Sequence, residues 1–175
     1  LASDSISFTA VADVVTGNTG TIDLESTSGS ITLATDADQT TGSGDIRMFA
    51  GMDIILGGTM STSGTVSLSA ESGTLYDGDS DAGVDIEATS LRLNAGTGIG
   101  ELGGALNPIE TNVETLSARS GSGGIRIHET DTLVIDATSA TVARVNEDAT
   151  TSGLNDTSLD GLQTISGDAS IIITL

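Results

Sequence analysis

One phrase recurs along this chain: a glycine, a small or polar residue, then two aliphatics separated by a polar residue. It reads Gly20-Thr21-Ile22-Asp23-Leu24, Gly29-Ser30-Ile31-Thr32-Leu33, Gly44-Asp45-Ile46-Arg47-Met48 and Gly64-Thr65-Val66-Ser67-Leu68, with looser copies at Gly83-Val84-Asp85-Ile86 and Gly123-Gly124-Ile125-Arg126-Ile127. Alternation with a period of two places every second side chain on one face of a strand. The glycine marks the bend before each strand. A single short strand cannot bury its apolar face alone, so a recurring one is a piece of a stacked array.

Two interleaved series give the length of the repeat. Ile22, Ile46, Val66 and Ile86 are separated by steps of 24, 20 and 20 residues, and Ile31, Ile54, Leu75 and Leu91 by steps of 23, 21 and 16. The fold this predicts is all-β, a right-handed parallel β-helix (solenoid) with coils of about 20–24 residues, the hand following the general rule for parallel crossovers. Residues 1–175 read as a single β-helical segment, with 150–175 as an irregular terminal coil whose ending, Gly167–Leu175, reads as a last strand. Asp23, Thr32, Arg47, Ser67, Asp85 and Arg126, lying between aliphatics, should point away from the interior, as should His128. The stretch Ser139–Asp148, where Ala140, Val142, Ala143 and Val145 follow no clean period, is the one candidate for helix. A β-sandwich built from the same strands is the competing architecture. The absence of Trp and Cys, and a single Tyr, argue against its usual core.

Composition narrows the function. The net charge is −20, from 25 acidic residues against five arginines. Such a surface repels phosphate backbones and anionic lipid, which excludes nucleic acid as a partner, and it attracts divalent cations and cationic groups. No apolar run approaches the roughly 20 residues needed for a membrane span. The chain opens directly in strand-like pattern at Ser5-Ile6-Ser7-Phe8 and reads as a piece of something longer.

The densest acidic cluster is Asp77-Gly78-Asp79-Ser80-Asp81-Ala82-Gly83. Alternating carboxylates can gather oxygen ligands around a hard cation, so Asp77, Asp79 and Asp81 are candidate ligands for Ca2+. An EF-hand loop would want Gly and Glu where Ala82 and Ala88 stand, and a solvated corner is the competing reading. Asp36 and Asp38, with Asp45 nearby, form a weaker cluster of the same type. Catalysis finds little support: carbohydrate cleavage needs a tuned carboxylate pair and commonly aromatic platforms, and the chain has only Phe8, Phe49 and Tyr76. No nucleotide-binding or nucleophile motif is present. His128, the single histidine, reads as an exposed surface residue, and the sequence names no partners that would make it a metal site. Pro108, the single proline, suits a corner or sheet edge between Ile99 and Val113.

The stretch Gly98-Ile99-Gly100, then Ala105-Leu106-Asn107-Pro108-Ile109-Glu110-Thr111, Leu116-Ser117-Ala118 and Gly123-Gly124-Ile125-Arg126-Ile127 resembles the phrase of filamentous-haemagglutinin-type repeat proteins, which are very large exported or surface proteins of bacteria. The resemblance implies a right-handed parallel β-helix serving as a stalk or adhesive segment, non-catalytic, secreted or on the cell surface. It also implies partners among host-cell, bacterial-surface or matrix glycans and proteins, and neighbouring β-helical segments of the same parent chain. A calcium-binding acidic structural module and a carbohydrate-active β-helix enzyme are the alternatives.

Overall fold

The computed structural model describes residues 4–79, 81–101, 107–166 and 169–175. The described residues form nineteen strands, numbered β1 to β19 in chain order, and no helix occurs among them; seventeen strands form one wrapped sheet and two a separate hairpin. Every pairing between the named strands of the large sheet is parallel, as a β-helix requires.

Each complete winding contributes to three stacks of strands. One stack carries a column that runs Ile6, Ile31, Ile54, Leu75, Ile99, Ile125, Ile171 in direct register. The second is short and carries Val14, Gln39, Met60, Ile86 and Thr111. The third, the long-strand face, carries Ile22, Ile46, Val66, Leu91, Leu116 and then Ile135. Its strands are β3 (Ile22–Ser26), β6 (Ile46–Ala50), β9 (Thr65–Ala70), the second half of β11 (Ile86–Ala95) and that of β13 (Ile109–Ser120). Ile31, Ile46, Ile54, Val66, Leu75, Leu91 and Ile125 are wholly buried in one continuous core. Full burial of each is worth about 1.5–3 kcal/mol in apolar transfer.

Two positions in the sequence-based columns are exchanged. Leu91, not Ile86, continues the column above Val66, and Ile99, not Leu91, follows Leu75. The corner from Asp77 to Val84 lengthens this winding, so the next Gly-x-aliphatic phrase after Val66 belongs to a different face. The step from Val66 to its true neighbour is 25 residues rather than 20.

The phrase-initial glycines have a cause beyond bending. A Cβ on Gly44 would lie 2.1 Å from the carbonyl oxygen of Gly20, and one on Gly29 would lie 2.5 Å from the Ser5 amide nitrogen. Corners of successive windings approach backbone to backbone, and no side chain fits between them.

Two insertions break the winding. Ile99 pairs with Ile125 and Ile109 with Ile127, so the segment between Ile99 and Ile109 leaves the coil and returns. Its neck is closed by the Glu101 amide donating to the Asn107 carbonyl at 3.0 Å, with Pro108 immediately before the returning strand. Leu102–Leu106, part of the family-like phrase, lie outside the described residues. The second insertion is larger. Ile135, in β15 (Val134–Ile135), pairs with Leu116, while Leu162, in β18 (Leu162–Thr164), pairs with Ala118. The chain therefore advances 27 residues while its neighbour advances two.

That excursion contains β16 (Thr141–Val145) and β17 (Thr151–Asn155), an antiparallel hairpin. The helix considered for Ser139–Asp148 is absent. Thr141, Val142 and Val145 are β-branched and stiff, and Asn146-Glu147-Asp148-Ala149 closes a turn in which Ala149 takes a φ of 62° and the Asn146 amide donates to the Thr150 carbonyl. The chain then rejoins the solenoid through β18 and β19 (Ile171–Thr174), the latter pairing with β14 (Gly124–Glu129). Asp23, Arg47 and Ser67 do point away from the core, as alternation predicts. The hairpin covers them, leaving Arg47 6 % and Ser67 0 % exposed.

Candidate acidic site

Residues Asp77 to Gly83 form the corner that follows β10 (Leu75–Asp77). The alternating carboxylates act first on the backbone. Asp77 Oδ1 accepts from the Asp79 amide at 3.0 Å, Asp79 Oδ1 from the Asp81 amide at 3.2 Å, and Asp81 Oδ1 from the Gly83 amide. Each is an Asx turn in which the side chain bonds the chain two residues on. The spacing of two between the aspartates is the spacing of this staircase.

Of the three candidate ligands, the fold brings Asp77 and Asp79 together with a third carboxylate, Asp85; one oxygen from each lies within 4.8 Å of the others. Asp81 is not in that group, and its Oδ1 serves the Gly83 turn. Asp36 and Asp38 do reach the same place: with Asp79, Asp81 and Asp85 they line a depression of about 110 Å³ beside Gly57 and Gly58. Asp38 Oδ1 holds the Thr59 amide at 2.9 Å. Asp45 is elsewhere, with its two oxygens on the amides of Thr65 and Thr141.

Sequence reasoning missed Asp85 and Glu110 as members of the cluster. They sit one winding apart in register, since Ile86 pairs with Thr111, and the Glu110 amide donates to Asp85 Oδ2 at 3.0 Å. Both are buried. Burial, then the charges of Asp77 and Glu110, push the Asp85 carboxyl up to about 8. Burial and the Asp77 charge push Glu110 up to about 7. Asp79 is raised as well, by burial and by Asp77 and Asp81. The available signal was an acidic residue directly before a strand position in two windings 25 residues apart, visible only once the true period was known.

The chemistry open to this site follows from these values. Near neutrality Asp85 holds its proton and Glu110 is about half protonated, because burial and the neighbouring carboxylates make full ionisation of the pair costly. On losing its protons the group becomes a concentrated set of hard oxygen donors, which suits Ca2+. His128 takes no part: its Nδ1 is 2.8 Å from Thr174 Oγ1, on the stack that ends with β19. Tyr76 lies beside a shallow groove with Thr74, Thr97 and Glu101.

A buried carboxylate of another kind, Glu129, follows Thr111 in the short-strand stack. Glu129 is wholly buried and accepts from Thr111 Oγ1 at 2.8 Å and from the amides of Val113 and Thr130. It takes the ladder's place where β14 ends. No family model, no curated protein and no solved structure matches this chain.

Proposed function

We propose that the chain is a non-catalytic β-helical segment of a large bacterial secreted or surface protein, acting as a stalk or adhesive surface. The supporting observation is the continuous parallel ladder from Ile6 to Ile171, filled by aliphatic side chains and edged with polar corners. Among the described residues β1 (Ile6–Phe8) pairs with β4 (Ile31–Leu33) alone, and β19 with β14 alone, so each presents a parallel edge to which further β-helical windings can add. The resemblance of Gly98–Ile127 to filamentous-haemagglutinin-type phrases points the same way. Display on such a rod needs rigidity and exposed corners, and nothing else from the interior. The test is retention: immobilised chain is challenged with host-cell and bacterial surfaces and with matrix glycans and proteins. Saturable retention on one class is expected. Depolymerisation of a polysaccharide by the chain, lost in Asp85→Asn, would overturn the reading in favour of an enzyme.

A second reading, a calcium-binding structural module, is favoured by the meeting of Asp77, Asp79 and Asp85 within 4.8 Å. Thermal melting with and without Ca2+ tests it, since a ligand bound only by the native state raises the midpoint.

A further inference from the structure

We infer that the excursion between Ile135 and Leu162 is an axial clasp, a strap that runs back along the long-strand face and ties the first windings to the later ones. In a solenoid each winding touches only its neighbours, so windings can peel away one at a time. The strap breaks that rule, because it bonds to every layer it crosses. On β13, Ser117 Oγ meets Thr138 Oγ1, which also donates to the Leu91 carbonyl of β11 at 3.2 Å. Arg92 of β11 donates from Nε to the Thr157 carbonyl at 2.9 Å. Ser67 of β9 donates to Asp156 Oδ2 at 2.6 Å, and Arg47 of β6 from Nε to Asp156 Oδ1 at 2.8 Å. Beyond these, the Thr141 amide reaches Asp45 and the Ala143 amide reaches Thr21 Oγ1 at 2.9 Å. Arg144 then closes on Asp23 and Glu25 of β3.

Apart from Ser117–Thr138, which are 21 residues apart, these bonds join residues 47 to 122 apart in sequence, against about 20–26 for the ladder between most windings. They cross five layers, about 19 Å at the ordinary strand spacing. The underside is dry as well as charged: Ala140 and Val142 are buried against the face, and Leu159 nearly so. Three of the chain's five arginines, Arg47, Arg92 and Arg144, are spent here. Arg47 lies centrally, bonded to Asp23, Glu25 and Asp156 together and stacked 5.4 Å from the Phe49 ring centroid. The arrangement is independent of what the rod displays.

Hydrogen exchange on the full chain tests the inference, read at the Thr141 and Ala143 amides of the strap, at β3, and at β9 to β13. In the double variant Asp156→Asn, Arg144→Met, the strap amides should exchange at least tenfold faster. The β3 amides should follow them by a smaller factor, while those of β9 to β13 hold. Faster strap exchange with β3 unmoved would show a passive appendage and overturn the clasp. Should the double variant fail to fold, the wild type in rising NaCl carries the same test. Salt weakens the ion pairs, so joint acceleration of strap and β3 supports the clasp, and indifference of β3 to a loosened strap overturns it.

Discussion

The molecule holds two dense sets of carboxylates, and they are opposites. Under the strap, Asp23, Glu25 and Asp156 converge on Arg47, with Arg144 beside them. Burial works against the charge on Arg47, but its bonds to Asp156 and Asp23 outweigh it, and the guanidinium is held more firmly protonated than usual. At the Asp77–Asp85 corner burial and the charge of neighbouring carboxylates push Asp85 and Glu110 up, so that protons rather than guanidinium groups offset the charge there. The same residue type therefore glues one face and leaves the other dependent on pH. Net charge alone hides this contrast.

The largest expected effect tests the paired side. Arg47→Met leaves three half-buried carboxylates around an apolar side chain, two of them still held by Arg144; breaking a fully buried pair from one side costs about 3–5 kcal/mol, and a loss of about 2–3 kcal/mol is expected here. Urea unfolding at neutral pH should show that loss; a change below about 1 kcal/mol would mean the network is solvated and the contrast false.

The unpaired side is expected to respond to pH. Asp85 and Glu110 titrate near 8 and 7 when folded, against ordinary values of 3.8 and 4.5. Between those ranges the folded chain binds more protons than the unfolded one, so stability falls as pH rises. The contribution is whole below about pH 4 and is lost through pH 7–8. A decline of at least about 2 kcal/mol between pH 5 and pH 9 is expected from this pair, and Asp85→Asn should flatten it. A stability that rose over that window would refute the assignment.

If Ca2+ can replace those protons, its effect should grow as they leave. At a tenfold excess over Kd, binding to the native state adds about 1.4 kcal/mol, an increase of about 4 °C in Tm for a chain of this length. The shift should be larger at pH 8.5 than at pH 6 and absent in Asp85→Asn. Equal shifts at both pH values, or none at pH 8.5, would remove calcium from this corner.

Much of the fold is legible in the sequence, for a definite reason. Strand period and apolar alternation are local, so the column Ile22, Ile46, Val66 follows directly from the phrase. Register across a lengthened corner is not local, and Ile86 and Leu91 were exchanged because the Asp77–Val84 turn consumed extra residues. The strap was invisible for a similar reason. Ser139–Asp148 follows no clean period and reads as a candidate for helix, and nothing in the segment says that its partners are Thr21, Asp23 and Asp45, about 100 residues away. The acidic site was half legible: Asp77 and Asp79 stand out by density, while Asp85 and Glu110 meet only through winding register.

Asp81 gives the smallest and most discriminating prediction. In the calcium loop suggested by spacing it is a ligand; in the fold its carboxylate serves the Gly83 amide. Asparagine forms the same Asx turn with its side-chain oxygen, so Asp81→Asn should change stability by no more than about 0.5 kcal/mol and leave any calcium response intact. Asp85→Asn, one turn away, should abolish that response. If instead Asp81→Asn removes it and Asp85→Asn does not, the cation is held by the staircase itself. The buried pair with Glu110 is then only a proton store, and the division between a neutralised face and an unneutralised corner has to be redrawn around the loop.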